Sequence, residues 1–96
     1  MSIVIVGIPV YNGEKSIKKA INSVLNQTLQ DFEIIISDNA STDLTKNICE
    51  EYAKHDIRIK YIRQKKNLGY VKNFQYLVNS ANSKYFVWLS ADDFLE

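Results

Sequence analysis

Phe32-Glu33-Ile34-Ile35-Ile36-Ser37-Asp38-Asn39-Ala40-Ser41-Thr42-Asp43 sets a run of apolar, β-branched residues directly before a stretch of hydroxyl, carboxylate and amide side chains. A run of this length and composition suits a strand covered on both faces. The abrupt change at Ser37 marks the carboxyl end of that strand, and in open α/β sheets such ends rim the binding crevice. Asp38 and Asn39 are therefore candidates for a site, while Ser41, Thr42 and Asp43 offer caps for a following helix.

Elements of matching type lie on either side. Upstream, Ile3-Val4-Ile5-Val6 is a second buried strand ended by Gly7, and Pro9-Val10-Tyr11-Asn12-Gly13 is a turn. Ile17, Ala20, Ile21, Val24 and Leu25 then recur at helical spacing, which predicts an amphipathic helix from about Glu14 to Gln27. Downstream, a helix reaches about Lys54 with Leu44, Ile48 and Tyr52 as its inner stripe. Ile57 to Arg63 alternates apolar and basic residues, as expected of a strand at a sheet edge. A further helix from about Tyr70 to Ala81 carries Val71, Phe74, Leu77, Val78 and Ala81 inward, and Tyr85-Phe86-Val87-Trp88-Leu89 supplies the last strand. The order β-α-β-α-β-α-β implies an α/β fold, a mostly parallel Rossmann-like sheet of four strands with three crossover helices. Four polar loops then meet on one rim: Pro9 to Asn12, Ser37 to Asp43, Gln64 to Gly69 and Ser90 to Asp93.

Bulk properties narrow the partners. A chain of 96 residues, 46% hydrophobic and 24% charged, is expected to form one small globular domain over 1–96. Twelve basic and eleven acidic side chains leave a formal net charge of +1, so no bulk field draws nucleic acid or an anionic membrane, and any anion is bound locally. The lone Cys49 excludes an intramolecular disulfide and a cysteine zinc site and suits a reducing, cytoplasmic compartment. No apolar run approaches the roughly 20 residues that span a bilayer, and the first ten residues lack the pattern of a targeting segment.

Each polar motif has a functional and a structural reading. Asp92-Asp93 follows an apolar strand, which suits a hard divalent ion bound through carboxylates and a substrate's phosphates, or else a turn. Asn39 donates and accepts together and so matches the edge of a pyrimidine, or else forms an Asx-turn with Asp38. Tyr11 stacks on a base or packs on the first helix. Asn67-Leu68-Gly69 is a turn opening the third helix, whose positive end favours phosphate near Lys72 and Asn73. His55 belongs to a surface loop, and Lys60, Arg63, Lys65 and Lys66 solvate the sheet edge.

Taken together, Pro9-Val10-Tyr11-Asn12, Ser23-Val24-Leu25-Asn26-Gln27-Thr28, the segment from Phe32 to Asp43, Asn67-Leu68-Gly69 and Ser90-Ala91-Asp92-Asp93 occur in the order found in one family. The chain resembles the amino-terminal, nucleotide-sugar-binding half of the inverting GT-A-type glycosyltransferases of family 2. That resemblance implies that Pro9 and Tyr11 line the base pocket, that Asp38 or Asn39 pairs with the base, that Asp92 lies near the ribose, and that Asp93 ligates Mg²⁺ or Mn²⁺ bridging the diphosphate. Asn67, Gly69 and Lys72 complete the expected donor site. The resemblance further implies a UDP or dTDP sugar as donor, a glycan or lipid-linked glycan as acceptor, and a setting in polysaccharide or glycoconjugate synthesis in the cytoplasm, with peripheral attachment to the inner face of the membrane expected for a full-length protein. The family often has two acids where this chain has Asp38-Asn39 and a further aspartate at the position of Ser90. Its catalytic base lies beyond the metal motif, so none is expected here.

Two other classes remain for comparison. A nucleotide-sugar pyrophosphorylase has a glycine- and basic-rich loop after its first strand, which Pro9 to Glu14 lacks. A receiver-like signalling domain carries its acids after the first strand and not the fourth. The strand Tyr85 to Leu89 is expected at an open edge, which predicts a homo-oligomer through that strand or the neighbouring third helix, with Phe86 and Trp88 as anchors.

Overall fold

The computed structural model describes residues 4–26, 32–80 and 85–89. Seven elements alternate along the chain: β1 (Val4–Val10), α1 (Ile17–Leu25), β2 (Phe32–Asp38), α2 (Thr45–His55), β3 (Ile59–Arg63), α3 (Tyr70–Ser80) and β4 (Tyr85–Trp88). The strands form one parallel sheet in the order β3-β2-β1-β4, as the alternation of elements predicts. β1 and β2 are central, buried along nearly their whole length, and pair in register from Val4 with Phe32 to Val10 with Asp38.

Two cores flank the sheet. Val6, Ile8, Val10, Ile34 and Ile36 point to the side covered by α1 and α2, where they meet Ile17, Ala20, Ile21, Val24 and Cys49. Ile5 and Ile35, on the opposite side of the pleat, meet Leu77 of α3. Tyr52 of α2 donates to Asn22 Oδ1 of α1 at 2.9 Å and joins the two helices on the larger core.

Three sequence expectations need correction. Leu44 is 57% exposed, and α2 instead buries Thr45 and Cys49. Val71 and Val78 of α3 are likewise exposed, and its inner face is Asn73 and Leu77. Both errors arise because a buried polar residue takes an inward position that apolar periodicity assigns to a neighbour. Finally, β3 begins at Ile59 and not Ile57. Asp56 Oδ1 accepts the Arg58 N–H at 2.9 Å and Ile59 N–H reaches Asp56 O at 3.1 Å, so Ile57 sits at the tip of a tight turn and is 96% exposed. The Arg58 guanidinium pairs with Asp56 and lies 4.7 Å over the Phe32 ring. His55 closes the last turn of α2 and pairs with Glu51 at 2.8 Å on the surface.

Candidate functional site

A pocket of about 440 Å³ opens at the carboxyl ends of the central strands. Pro9 to Gly13, Asn39, and Asn67, Gly69, Tyr70 and Asn73 line it. Its walls therefore come from three segments far apart in sequence: the end of β1 with its following loop, the residue after β2, and the loop after β3 with the first turn of α3. Tyr11 is 51% exposed, so its ring is open to a ligand.

The first two loops are tied by side chains that cap backbone groups. Asn12 N–H donates to Ser41 Oγ at 2.8 Å, and Thr42 N–H donates to Asn12 Oδ1 at 2.8 Å. Thr45 is fully buried; its Oγ1 accepts the Gly13 N–H at 2.9 Å and donates to Asp43 Oδ1 at 2.5 Å. Asp43 also takes the Thr45 N–H at 2.9 Å and the Glu14 N–H at 3.2 Å. Burial alone would raise the Asp43 pKa, but the bonds from Thr45 and Glu14 outweigh it and hold the carboxyl below its ordinary range. Of the three expected caps for α2, only Asp43 bonds the helix; Ser41 and Thr42 face the first loop.

Below this loop lies Asp38, fully buried. Its Oδ1 accepts the Ser41 N–H at 2.9 Å, and its Oδ2 accepts the Tyr61 hydroxyl at 2.5 Å. Burial, with this bond to Asp38, pushes the Tyr61 pKa well up, so the phenol stays a donor. Arg63 donates to Ser41 O at 2.7 Å. Cys49, also in this interior, has its pKa raised by burial, and then by the nearby carboxylates of Asp38, Asp43 and Glu50, to about 12; it is an inert thiol.

The third loop closes on the second. Asn39 Nδ2 donates to Asn67 Oδ1 at 2.8 Å, and Asn39 Oδ1 accepts the Leu68 N–H at 2.6 Å. Gly69, with φ of +86°, lets the chain reverse into α3, and its N–H reaches Asn67 Oδ1 at 2.7 Å. Asn73 is buried at the start of α3; its Oδ1 accepts the Ser37 hydroxyl at 2.6 Å and its Nδ2 donates to Ser37 O at 3.0 Å.

Of the residues singled out from sequence, Pro9, Tyr11, Asn39, Asn67, Gly69 and Asn73 line this pocket. Asp38 sits beneath it with both oxygens engaged, and Lys72 is exposed on α3 outside the lining. Asp92 and Asp93 lie outside the described residues, and among the described residues no group of three or more His, Cys, Asp or Glu gathers to hold a metal. Sequence reading gives Thr45 and Tyr61 no role in the site, leaves Arg63 to edge solvation, and places Asn73 near phosphate without its bonds to Ser37. For Asn73 a signal existed, a polar residue at the core phase of an amphipathic helix; the bonds of Thr45 to Gly13, Tyr61 to Asp38 and Arg63 to Ser41 span 32, 23 and 22 positions and leave no local pattern.

The sequence profile of glycosyl transferase family 2 matches residues 5–96. The chain belongs to this family. An uncharacterized glycosyltransferase of Haemophilus influenzae is 42% identical over 83 residues, 86% of this chain and 26% of that protein. A GalNAc(5)-diNAcBac-PP-undecaprenol beta-1,3-glucosyltransferase of Campylobacter jejuni is 36% identical over 87 residues, 90% of this chain and 28% of its own. S. aureus TarS 1-349, solved in complex with UDP-GlcNAc, superposes with a TM-score of 0.87 at 28% identity over 96% of this chain and 27% of that one. The α/β architecture is thus shared with GT-A glycosyltransferases, and the family 2 chain spans about a quarter of the length of these relatives. Among the described residues no helix is long and apolar enough to cross a membrane.

Proposed function

We propose that the pocket binds the nucleoside diphosphate of a sugar donor, UDP or dTDP sugar, and that the chain is the donor-binding half of an inverting, metal-dependent glycosyltransferase. The observation that carries this is the convergence of Pro9, Tyr11 and Asn39 with Asn67 and Gly69 on one pocket at the strand ends. A flat ring half open to solvent and an amide suit a base, and the turn opening α3 suits phosphate. The UDP-GlcNAc complex of TarS supports the same donor class. Asp38 then acts from below, holding the 39–43 loop, and not on the base itself.

Asp93 and Asp92, beyond the described residues, are proposed as metal ligand and ribose contact. Two adjacent carboxylates suit Mg²⁺ or Mn²⁺, which when bound neutralises charge on the departing diphosphate. An acceptor hydroxyl, on a glycan or lipid-linked glycan as the name of the Campylobacter relative suggests, would displace it at the anomeric carbon with inversion, in polysaccharide or glycoconjugate synthesis.

Calorimetry with UDP, dTDP, GDP and ADP, each with and without Mn²⁺, tests this. A Mn²⁺-dependent preference for a pyrimidine diphosphate is expected, lost in Asp93→Ala and weakened without loss of metal dependence in Asp92→Ala. Equal metal dependence in wild type and Asp93→Ala would refute the assignment. The 96-residue chain is expected to bind donor and transfer no sugar.

A further inference from the structure

Asn39 lines the pocket yet is only 4% exposed, because both ends of its amide are held. Oδ1 faces the Leu68 N–H and Nδ2 faces Asn67 Oδ1. A free carboxamide rotates by half a turn with little change of shape and exchanges donor for acceptor. Here that rotation would set oxygen against the Asn67 oxygen and N–H against the Leu68 N–H. Asn67 cannot turn to relieve this, since its oxygen also holds the Gly69 N–H that starts α3. A carboxamide has two donor hydrogens and two acceptor lone pairs, so one of each on Asn39 remains, in fixed places.

Uracil and cytosine share an outline and differ in sense at N3 and C4: one offers N–H and carbonyl, the other a bare ring nitrogen and an amino group. An amide free to turn pairs with either base, whereas one fixed in place pairs with a single sense. We propose that Asn67 is a positioning residue that, by fixing the Asn39 amide, makes the site select a 2,4-dioxopyrimidine, uracil or thymine, over cytosine. This rests on the nucleoside site proposed above. It assigns base discrimination to a contact between two loops and not to the residue at position 39 alone.

The test is calorimetry of the chain with UDP and CDP at fixed Mn²⁺, for wild type, Asn39→Ala, Asn67→Ala and Asn67→Asp. Wild type is expected to favour UDP by about tenfold, the scale of one mismatched hydrogen-bonding edge. Asn67→Ala removes the acceptor of Asn39 Nδ2 and of the Gly69 N–H and leaves the Leu68 N–H as the remaining restraint on the amide, so the preference for UDP should fall to about threefold. Asn67→Asp still accepts from Asn39 Nδ2 and the Gly69 N–H, so it should keep the wild-type ratio even if its charge lowers both affinities. A wild type that does not favour UDP, an unchanged ratio in Asn67→Ala, or a lost ratio in Asn67→Asp overturns the inference. If Asn39→Ala weakens both nucleotides while Asn67→Ala keeps the ratio, only the positioning role fails; if Asn39→Ala alters neither affinity, the nucleoside site itself fails.

Discussion

Ala40 stands between the two residues that matter most to the second loop, with φ of +64°. The conformation is imposed from both sides. Asn39 N–H must reach Val10 O at 2.8 Å, and Ser41 N–H must turn back to Asp38 Oδ1. A Cβ in the left-handed region costs roughly 1–2 kcal/mol, against about 0.4–1 kcal/mol for the extra unfolded-state freedom of glycine. Ala40→Gly is therefore expected to raise stability by about 0.5–1 kcal/mol, seen as a melting temperature higher by a few degrees; a lower one would show that the loop does not strain Ala40. Asp43 gives a pH test. Its folded pKa lies below the ordinary 3.8, so its carboxylate adds stability above that value, and the contribution is lost as pH falls through the folded pKa. Wild type should exceed Asp43→Asn in urea midpoint at neutral pH, and the gap should close below 3.8; a gap independent of pH would show that the bonds from Thr45 and Glu14 do not favour the carboxylate. What sequence reveals at this scale is the chemistry of a residue, seldom its partner. Asn39 and Tyr11 can be picked out because their side chains suit a ligand and follow strands. Arg63 looks like edge solvation because Ser41, whose carbonyl it caps, is 22 positions away.

Helices here are set by polar anchors as much as by apolar stripes. The spacing of Ile17, Ala20, Ile21 and Val24 foretells α1 well, since its buried face is wholly apolar. α2 and α3 are misread in phase because Thr45 and Asn73 occupy inward positions and bond to loops of the site. Hydropathy counts such residues as solvent-facing, so the pattern shifts onto Leu44, Val71 and Val78. The energetic weight of the polar anchors is testable. Thr45→Val preserves shape but removes the hydroxyl, stranding the buried Gly13 N–H and freeing Asp43 Oδ1 from one donor. An unsatisfied buried donor costs about 1–3 kcal/mol, so denaturant unfolding should register a loss of that size, accompanied by weaker nucleotide binding as the first loop loosens. A neutral substitution would mean that packing, and not this bond, fixes the loop.

Across the whole molecule, the order of elements and the alternation of buried and polar segments lead to a parallel sheet, and the two ends of that sheet differ in protection. β3 forms one edge, where Lys60 is exposed and pairs with Glu33 at 3.2 Å, a charged border of the kind that discourages strand pairing. β4 forms the other edge of the described sheet. It pairs with β1 alone, from Val4 with Tyr85 to Gly7 with Trp88, and Val87 is 41% exposed. Among the described residues no strand pairs with the outer side of β4, and its four residues, without charge or proline, offer backbone N–H and C=O groups there to another strand. Burial of apolar surface there contributes roughly 25 cal/mol per Å², from which the cost of association is subtracted. A short edge therefore supports a weak self-association. The chain is expected to sediment as a dimer or larger oligomer at tens of micromolar, roughly the range such a small contact sustains, and Val87→Lys should return it to a monomer by placing a charge at the contact. A wild-type monomer at that concentration, or an oligomer indifferent to lysine at position 87, would place any self-association elsewhere on the molecule.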